Sequence, residues 1–377
     1  VLLITKNDFT EERDGGSKRT AAVVRALTDA GYSVDYLTIR PFLRTWRRRA
    51  RLTDAAKALV AFIGRVALSR SLSAVKWFSP TAVVALAGLH DGDYAATIVE
   101  HSQLALYGAQ APGMRVINAH NVESELMRNY AKSEPSLVKR SVARYEANAL
   151  RRLEASLVSS FDVVVVVSDR DAMTFGSFAD FPRLVVAENG VPGEFFDVEA
   201  ELDLGSATTK NVVFIGHLGW KPNIDAAEWL VSDVWPRVLE QEPDARLSLV
   251  GRHPASSVRA LAGGSVAIYG DVPSVVPFLA SARVATAPLL AAGGTRIKIL
   301  EALAAGVPVV STSLGALGLE ALSGEGLRID DDPTGFAEAI VQVLRRPPAR
   351  DAVRSSADGY RWTETMRPLI TEIDEAS

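Results

Sequence analysis

Residues 284–311 read VATAPLLAAGGTRIKILEALAAGVPVVS. Short apolar runs at 284–287 and 308–311 bound this stretch, each of strand length and too short for a helix. The first run leads through Gly293-Gly294 into a helix, and Gly306 ends that helix before the next run begins. Ile297, Leu300, Leu303 and Ala304 recur at helical spacing and make its apolar stripe. A strand, a helix and a second strand in this order form one crossover of a parallel α/β sheet.

The alternation continues outward in both directions. Strand-like runs are expected at 1–5, 33–39, 96–100, 115–119, 162–168 and 184–187, and again at 211–215, 246–250, 266–269, 284–287, 308–311 and 327–329. They are rich in Val and Ile and are joined by helical stretches, as in parallel sheets buried on both faces. Between the two series, Asn189-Gly190-Val191-Pro192-Gly193 is a turn cluster, and 197–210 carries acidic and small polar residues without periodicity. The expected organisation is an N-terminal acceptor-side domain at 1–190, a hinge at 191–210 and a second domain at 211–358. A final helix at 359–377 is expected to pack back on the first domain. Two doubly wound domains facing across a cleft are the economical reading.

Composition bounds the function. The 377 residues are 48% hydrophobic and 23% charged, a globular balance. A net charge of -4 argues against nucleic acid as the main partner. With no cysteine, disulfides, thiolate metal sites and cysteine nucleophiles are excluded together. No window has the length of a membrane-spanning helix, and Val1-Leu2-Leu3-Ile4 reads as a buried strand, so the expected compartment is the cytoplasm.

The chemistry begins on the central helix. Lys298 and Glu301 stand three apart and share a face whose other residues, Ala302 and Ala305, are small. The glycines before the helix let backbone N–H groups approach a phosphate, and the helix N-terminus adds positive potential. Lys298 and Arg296 suit a pyrophosphate, and Glu301 suits a ribose diol. A Lys298–Glu301 salt bridge at a domain surface fits the same residues equally well.

Glu301-Ala302-Leu303-Ala304-Ala305-Gly306-Val307-Pro308-Val309 resembles the nucleotide-sugar motif of the retaining family 4 glycosyltransferases, in which two glutamates bracket seven residues. The resemblance implies the GT-B fold, with a nucleotide-sugar as donor and Glu301 on the ribose. Gly293 stands at the first glutamate's position, and Gly293-Gly294-Thr295-Arg296 with Lys298 matches one branch of the family. The resemblance extends to Phe214-Ile215-Gly216-His217-Leu218-Gly219-Trp220-Lys221-Pro222-Asn223, where Gly216 and Lys221 correspond to the loop gripping the donor phosphates. It covers Asp14-Gly15-Gly16-Ser17-Lys18-Arg19, with Gly16 as the implied contact, and Asn118-Ala119-His120-Asn121-Val122-Glu123, with His120 as the implied active-site histidine. By itself Gly16 fits a plain βα turn equally well. A lone histidine is more often structural, although a place at the end of a strand favours a site.

The resemblance thus implies glycosyl transfer with retention. The catalytic group is His120, Lys221 and Lys298, and Gly16, Gly216, Gly293, Gly294, Thr295, Arg296 and Glu301 bind the donor. The acceptor is an unidentified glycan, lipid-linked sugar or small molecule. No metal or other cofactor is expected. Asp330-Asp331-Asp332 and Asp91-Gly92-Asp93 imitate metal-binding DxD motifs but read better as a helix cap and a turn. The basic, partly apolar stretch 44–66, with Arg44, Arg47, Arg48, Arg49 and Arg51, reads first as a solvated loop and a covering helix. Peripheral contact with the inner face of a membrane is its alternative. A sugar-nucleotide epimerase of the same fold and a non-catalytic nucleotide-sugar-binding subunit are the rival functions.

Overall fold

A computed structural model describes residues 1–6, 9–10, 15–40, 63–64, 70–90, 92–181, 183–198, 210–290, 297–324 and 326–376. The chain divides into two compact units, Val1–Asn189 with Thr365–Ser377, and Gly190–Glu364.

The first unit is built on β1 (Leu2–Thr5), β2 (Asp35–Thr38), β3 (Ala96–Glu100), β4 (Met114–Asn118), β5 (Val163–Val166) and β6 (Leu184–Val186). The second carries β7 (Asn211–Ile215), β8 (Arg246–Gly251), β9 (Val266–Gly270), β10 (Val284–Ala287), β11 (Val309–Ser311) and β12 (Leu327–Ile329). Each expected run is a strand, with ends within two residues of the expected ones. The sheet orders are β2-β1-β3-β4-β5-β6 and β12-β11-β10-β7-β8-β9. Every named pairing is parallel.

Alternation along the strands explains the apolar runs. In β7, Val212 and Phe214 point into one buried layer with Val238, Phe336 and Ile340, while Val213 joins Ile299, Leu300 and Leu303 in the layer opposite. Strand order reverses between β1 and β3 in the first sheet and between β7 and β10 in the second. In open α/β sheets, the carboxyl ends of the strands flanking such a reversal form the usual ligand crevice.

The helix Ile297–Ala304 is buried nearly all round, with only Lys298 partly exposed. Gly306, at φ 71°, ends it: its N–H donates to Leu303 O at 2.8 Å, and Val307 N–H donates to Ala302 O at 2.9 Å. This paired closure needs a left-handed residue. A Cβ at Gly306 would also lie 2.9 Å from Arg350 O.

The expected single terminal helix is two, Trp362–Thr365 and Arg367–Ala376. Pro368 is the physical reason, since it lacks an N–H and its ring clashes with the carbonyl four residues earlier. The second of these helices packs on the first unit: Tyr32 Oη donates to Asp374 Oδ1, and Arg183 pairs with Glu372 at 3.0 Å and Glu375 at 2.7 Å. Among the described residues no helix is long and apolar enough to cross a membrane.

Candidate active site

In the second unit β7 runs into Gly216 and then into the helix Lys221–Trp229. A Cβ on Gly216 would lie 2.9 Å from Asn223 Nδ2, so glycine here is what lets Asn223 close on the end of the strand. The side chain of Asn223 is held in one orientation, because its Nδ2 donates to His217 O at 3.1 Å. That leaves its Oδ1 to accept from Lys298 Nζ at 3.0 Å. Lys298 also lies over the Phe214 ring, 4.9 Å from its centroid. With Ile215 and Ala287 it lines a cavity of about 10 Å³ where β7 meets β10, at the reversal of strand order. Glu301, nearly a turn further along the same helix, is buried.

Lys221 is placed differently. Its side chain is 76% exposed and paired with Asp225 one turn later. Gly293, Gly294, Thr295 and Arg296 lie outside the described residues. In this unit the structure therefore brings together Lys298, Asn223 and Gly216.

The first unit holds a second cluster at the reversal of its sheet. Glu100 ends β3 fully buried, where Oε1 accepts from Asn118 Nδ2 at 3.0 Å and Oε2 from Thr20 Oγ1 at 2.9 Å. Oε2 also pairs with His120 Nε2. Behind Asn118 lies Arg19, buried to 1% exposure, whose Nη2 and Nε donate to Asn118 Oδ1 at 2.8 and 3.1 Å. Its Nη1 donates to Glu188 O and Asn189 Oδ1, both at 3.2 Å. A chain of hydrogen bonds thus runs Arg19–Asn118–Glu100–His120. Gly16 lies in the first turn of the helix Gly15–Asp29, which also carries Arg19 and Thr20.

Electrostatics fix the protonation of this chain. Burial alone would raise the Glu100 pKa, but His120, Asn118 and Arg19 outweigh it and hold the carboxyl below its ordinary range. Burial lowers the His120 pKa, with Arg19 and Lys6 acting in the same sense and Glu100 opposing them. Burial likewise pushes His101 well below the ordinary histidine value. Burial brings Arg19 down to about 10, against the pull of Glu100 and Asp171, so it keeps its charge at neutral pH. An ionised Glu100 only accepts, so neutral His120 carries its proton on Nε2 and presents Nδ1 as an acceptor.

The ring of His101 lies 3.8 Å from that of His120, centroid to centroid. Its backbone adopts φ 72°, a conformation that costs a non-glycine residue about 1–3 kcal/mol and gathers at functional sites. Among the described residues Glu100, His101 and His120 are the one group with metal-ligand spacing, their ligand atoms lying within 4.8 Å of one another. Glu100 Oε2 is already shared by Thr20 and His120, and Arg19 and Lys6 add positive charge. Those contacts make the cluster a hydrogen-bonded relay, ill suited to a dication.

Sequence reasoning missed Glu100, Arg19 and Asn223 as site residues. A glutamate closing an otherwise apolar strand, Ala96-Thr97-Ile98-Val99-Glu100, was a usable signal for the first. Arg19 and Asn223 close the stretches 14–19 and 214–223 that carry the resemblance, but their roles come from partners distant in the chain. Of the acidic motifs, Asp332 caps the helix Pro333–Arg345 by accepting from Thr334 N and Gly335 N at 2.8 and 3.2 Å. Asp93 accepts from His90 N at 2.8 Å within a turn, while Asp91 lies outside the described residues.

Comparison with known proteins adds the class. Residues 209–346 match the family model described as "Glycosyl transferases group 1". An uncharacterized 44.6 kDa protein in the cps region of Klebsiella pneumoniae is 23% identical over 267 residues, 68% of this chain. That match spans 65% of the Klebsiella protein, just under two thirds of its length. A phosphatidyl-myo-inositol mannosyltransferase of Mycobacterium tuberculosis is 26% identical over 282 residues, 71% of this chain and 72% of the relative. The sucrose-phosphate synthase of Thermosynechococcus elongatus superposes with a TM-score of 0.69 over 100% of this chain and 99% of its own. At 17% identity it speaks for the fold alone. The match over the second unit, the relatives and the two-sheet fold agree: residues 209–346 form a domain of the group 1 glycosyltransferase type, on a chain whose two parallel sheets have the fold of the sucrose-phosphate synthase.

Proposed function

We propose that the chain moves a sugar from a nucleoside-diphosphate-sugar to an acceptor hydroxyl, with retention of anomeric configuration and without a metal ion. The observation that carries this reading is Lys298, held by Asn223 beside the carboxyl ends of β7 and β10 and within the region matching the group 1 model. A cation fixed at that edge is matched to a diphosphate, and Glu301 on the same helix suits the ribose hydroxyls. Lys221, Gly216 and the Gly293-Gly294-Thr295-Arg296 segment complete the donor site in this proposal, with Arg296 as a further cation.

In the reaction, the bond from the anomeric carbon to the diphosphate oxygen breaks and one to the acceptor oxygen forms. The proton of the acceptor hydroxyl passes to the departing diphosphate oxygen, and the nucleoside diphosphate leaves with its remaining charge stabilised by Lys298. His120 contributes a neutral Nδ1 that accepts from a sugar hydroxyl, and Gly16 offers backbone at the start of its helix. Retention rests on the resemblance to family 4, and metal independence on the cations available to the diphosphate. The mycobacterial relatives, named for phosphatidyl-myo-inositol, make a lipid-linked acceptor one candidate beside a glycan or a small molecule.

Calorimetric titration with UDP, GDP, dTDP and ADP tests the donor site. One of the four should bind, and Glu301→Ala should weaken it by about 1–3 kcal/mol, the value of a hydrogen bond to a charged group. Binding by none of them, or binding indifferent to Glu301→Ala, would remove the donor from this helix.

A further inference from the structure

Arg19 is among the largest side chains of the molecule to be wholly buried, and it keeps its charge at neutral pH. A buried charge is costly unless an opposite charge pairs with it. Among the described residues no carboxylate meets it directly. Its four hydrogen bonds end on Asn118 Oδ1, the Glu188 carbonyl and Asn189 Oδ1, all neutral oxygens. Stability alone does not account for such a residue, because an apolar side chain of similar volume commonly fills a core as well or better. What the charge does to its neighbours is the remaining reason to keep it.

Those neighbours stand at the carboxyl ends of three strands. Asn118 closes β4. Arg19 occupies its Oδ1 twice, so the amide has one orientation left, with Nδ2 donating to Glu100 Oε1 at 3.0 Å. Thr20, next to Arg19 on the helix Gly15–Asp29, donates to Glu100 Oε2 at 2.9 Å. The carboxylate that ends β3 is thereby held by both oxygens, and Oε2 also meets His120 Nε2. Glu188 and Asn189 follow β6, so the same guanidinium pins the chain where it leaves the first unit.

Charge reinforces this geometry. Arg19 lowers the pKa of both Glu100 and His120, which favours an ionised carboxyl beside a neutral imidazole. The other groups facing His120 are Lys6 after β1, which acts in the same sense, and the ring of His101 after β3. Glu123, which opens the helix Glu123–Ser133, lies in the field of the same Lys6. Asp171, on the helix Asp169–Gly176, lies in that of Arg19.

We propose that Arg19 is the positioning residue of the His120 site. Through the Asn118 amide and the Glu100 carboxylate it fixes the imidazole with its proton on Nε2 and leaves Nδ1 to accept from a sugar hydroxyl. Only the sugar hydroxyl rests on the transfer reaction proposed above; the state of the ring belongs to the free protein and is measured there. A side chain that merely tied strand ends together would set stability without setting the protonation of a ring two hydrogen-bonded residues away.

Nuclear magnetic resonance of the whole chain, labelled in its histidine rings, tests the assignment. The His120 signal is identified by its loss in His120→Gln. In the wild type this ring should be neutral near pH 7 with its proton on Nε2. Arg19→Met should move its titration to higher pH, because a cation that opposed protonation has gone. Arg19→Lys should bring the titration back toward the wild type, because the charge returns. Affinity for UDP, GDP, dTDP or ADP should stay as in the wild type. If Arg19→Met does not fold, Asn118→Asp replaces it, offering Arg19 a carboxylate of nearly the same shape and setting a second negative charge beside Glu100. The His120 titration should again rise. A folded Arg19→Met or Asn118→Asp with the wild-type titration and tautomer would reduce Arg19 to a core residue, and a wild-type ring protonated on Nδ1 would overturn the proposal outright. Should the wild type bind none of the four nucleotides, the donor site falls, and the histidine measurement still decides the role of Arg19.

Discussion

Glu100 is the residue on which the first unit's polar cluster turns. Fully buried, it accepts three hydrogen bonds, and its charge is balanced through Asn118 by Arg19. Glu100→Gln keeps the shape but turns an amide toward a donor, leaving one buried polar group unmatched. It also removes the carboxylate that opposes the fall of the His120 pKa. We expect kcat/KM to fall roughly tenfold to a hundredfold, the kinetic equivalent of one strong hydrogen bond. The acid limb of the pH–rate profile should move to lower pH, because His120 without its carboxylate protonates less readily. Nucleoside diphosphate affinity should stay unchanged, since Lys298 and Asn223 are untouched. An unaltered kcat/KM and pH profile would reduce Glu100 to a core residue. His120 was legible in sequence because it follows a recognisable strand, and Lys298 because it sits at fixed spacing from Glu301. Arg19 and Asn223 lay in the stretches that carry the resemblance, yet their roles were not legible, since each is set by a partner about 75 or more residues away.

At the scale of elements, the first unit is tied together internally by buried carboxylates at the starts of helices. Glu154 meets the first N–H groups of Glu123–Ser133, and burial raises its pKa to about 7 although those hydrogen bonds pull the other way. Between the ordinary value of 4.5 and about 7 the folded protein keeps a proton that the unfolded chain has released. Stability from this group is therefore present below that window and lost as pH rises through it, by about 3 kcal/mol in all. Urea unfolding at a series of pH values should show the wild type losing that much relative to Glu154→Gln. Parallel pH dependences would mean that Glu154 ionises normally. The strands were legible to within two residues because in the inner ones burial on both faces leaves an apolar run that any reading of hydropathy detects. The end of the chain was read less well, as one helix where Pro368 makes two. There the local signal was present and underweighted.

At the scale of the molecule, two all-parallel sheets of six strands each present a reversal of strand order, and the polar clusters gather at those two edges. In the second unit the proposed donor site draws its positive charge from side chains, among which Lys298 is held in place by Asn223. Nucleotide binding and sugar transfer should therefore persist in EDTA with little change, measured by calorimetry and by release of nucleoside diphosphate; abolition by EDTA and restoration by a divalent ion would refute metal independence. Sequence alone determined the alternation of strands and helices, hence the fold class, and the identity of the Lys298–Glu301 helix, because strand burial and helix spacing are local patterns written in neighbouring residues. Only the tertiary structure decided what each polar side chain touches: that Lys298 is held by Asn223, that Lys221 pairs with Asp225, and that His120 is backed by Glu100 and, through Asn118, by Arg19. Those outcomes depend on which strand ends become neighbours, and parallel sheets bring strand ends together only by crossovers through distant stretches of chain.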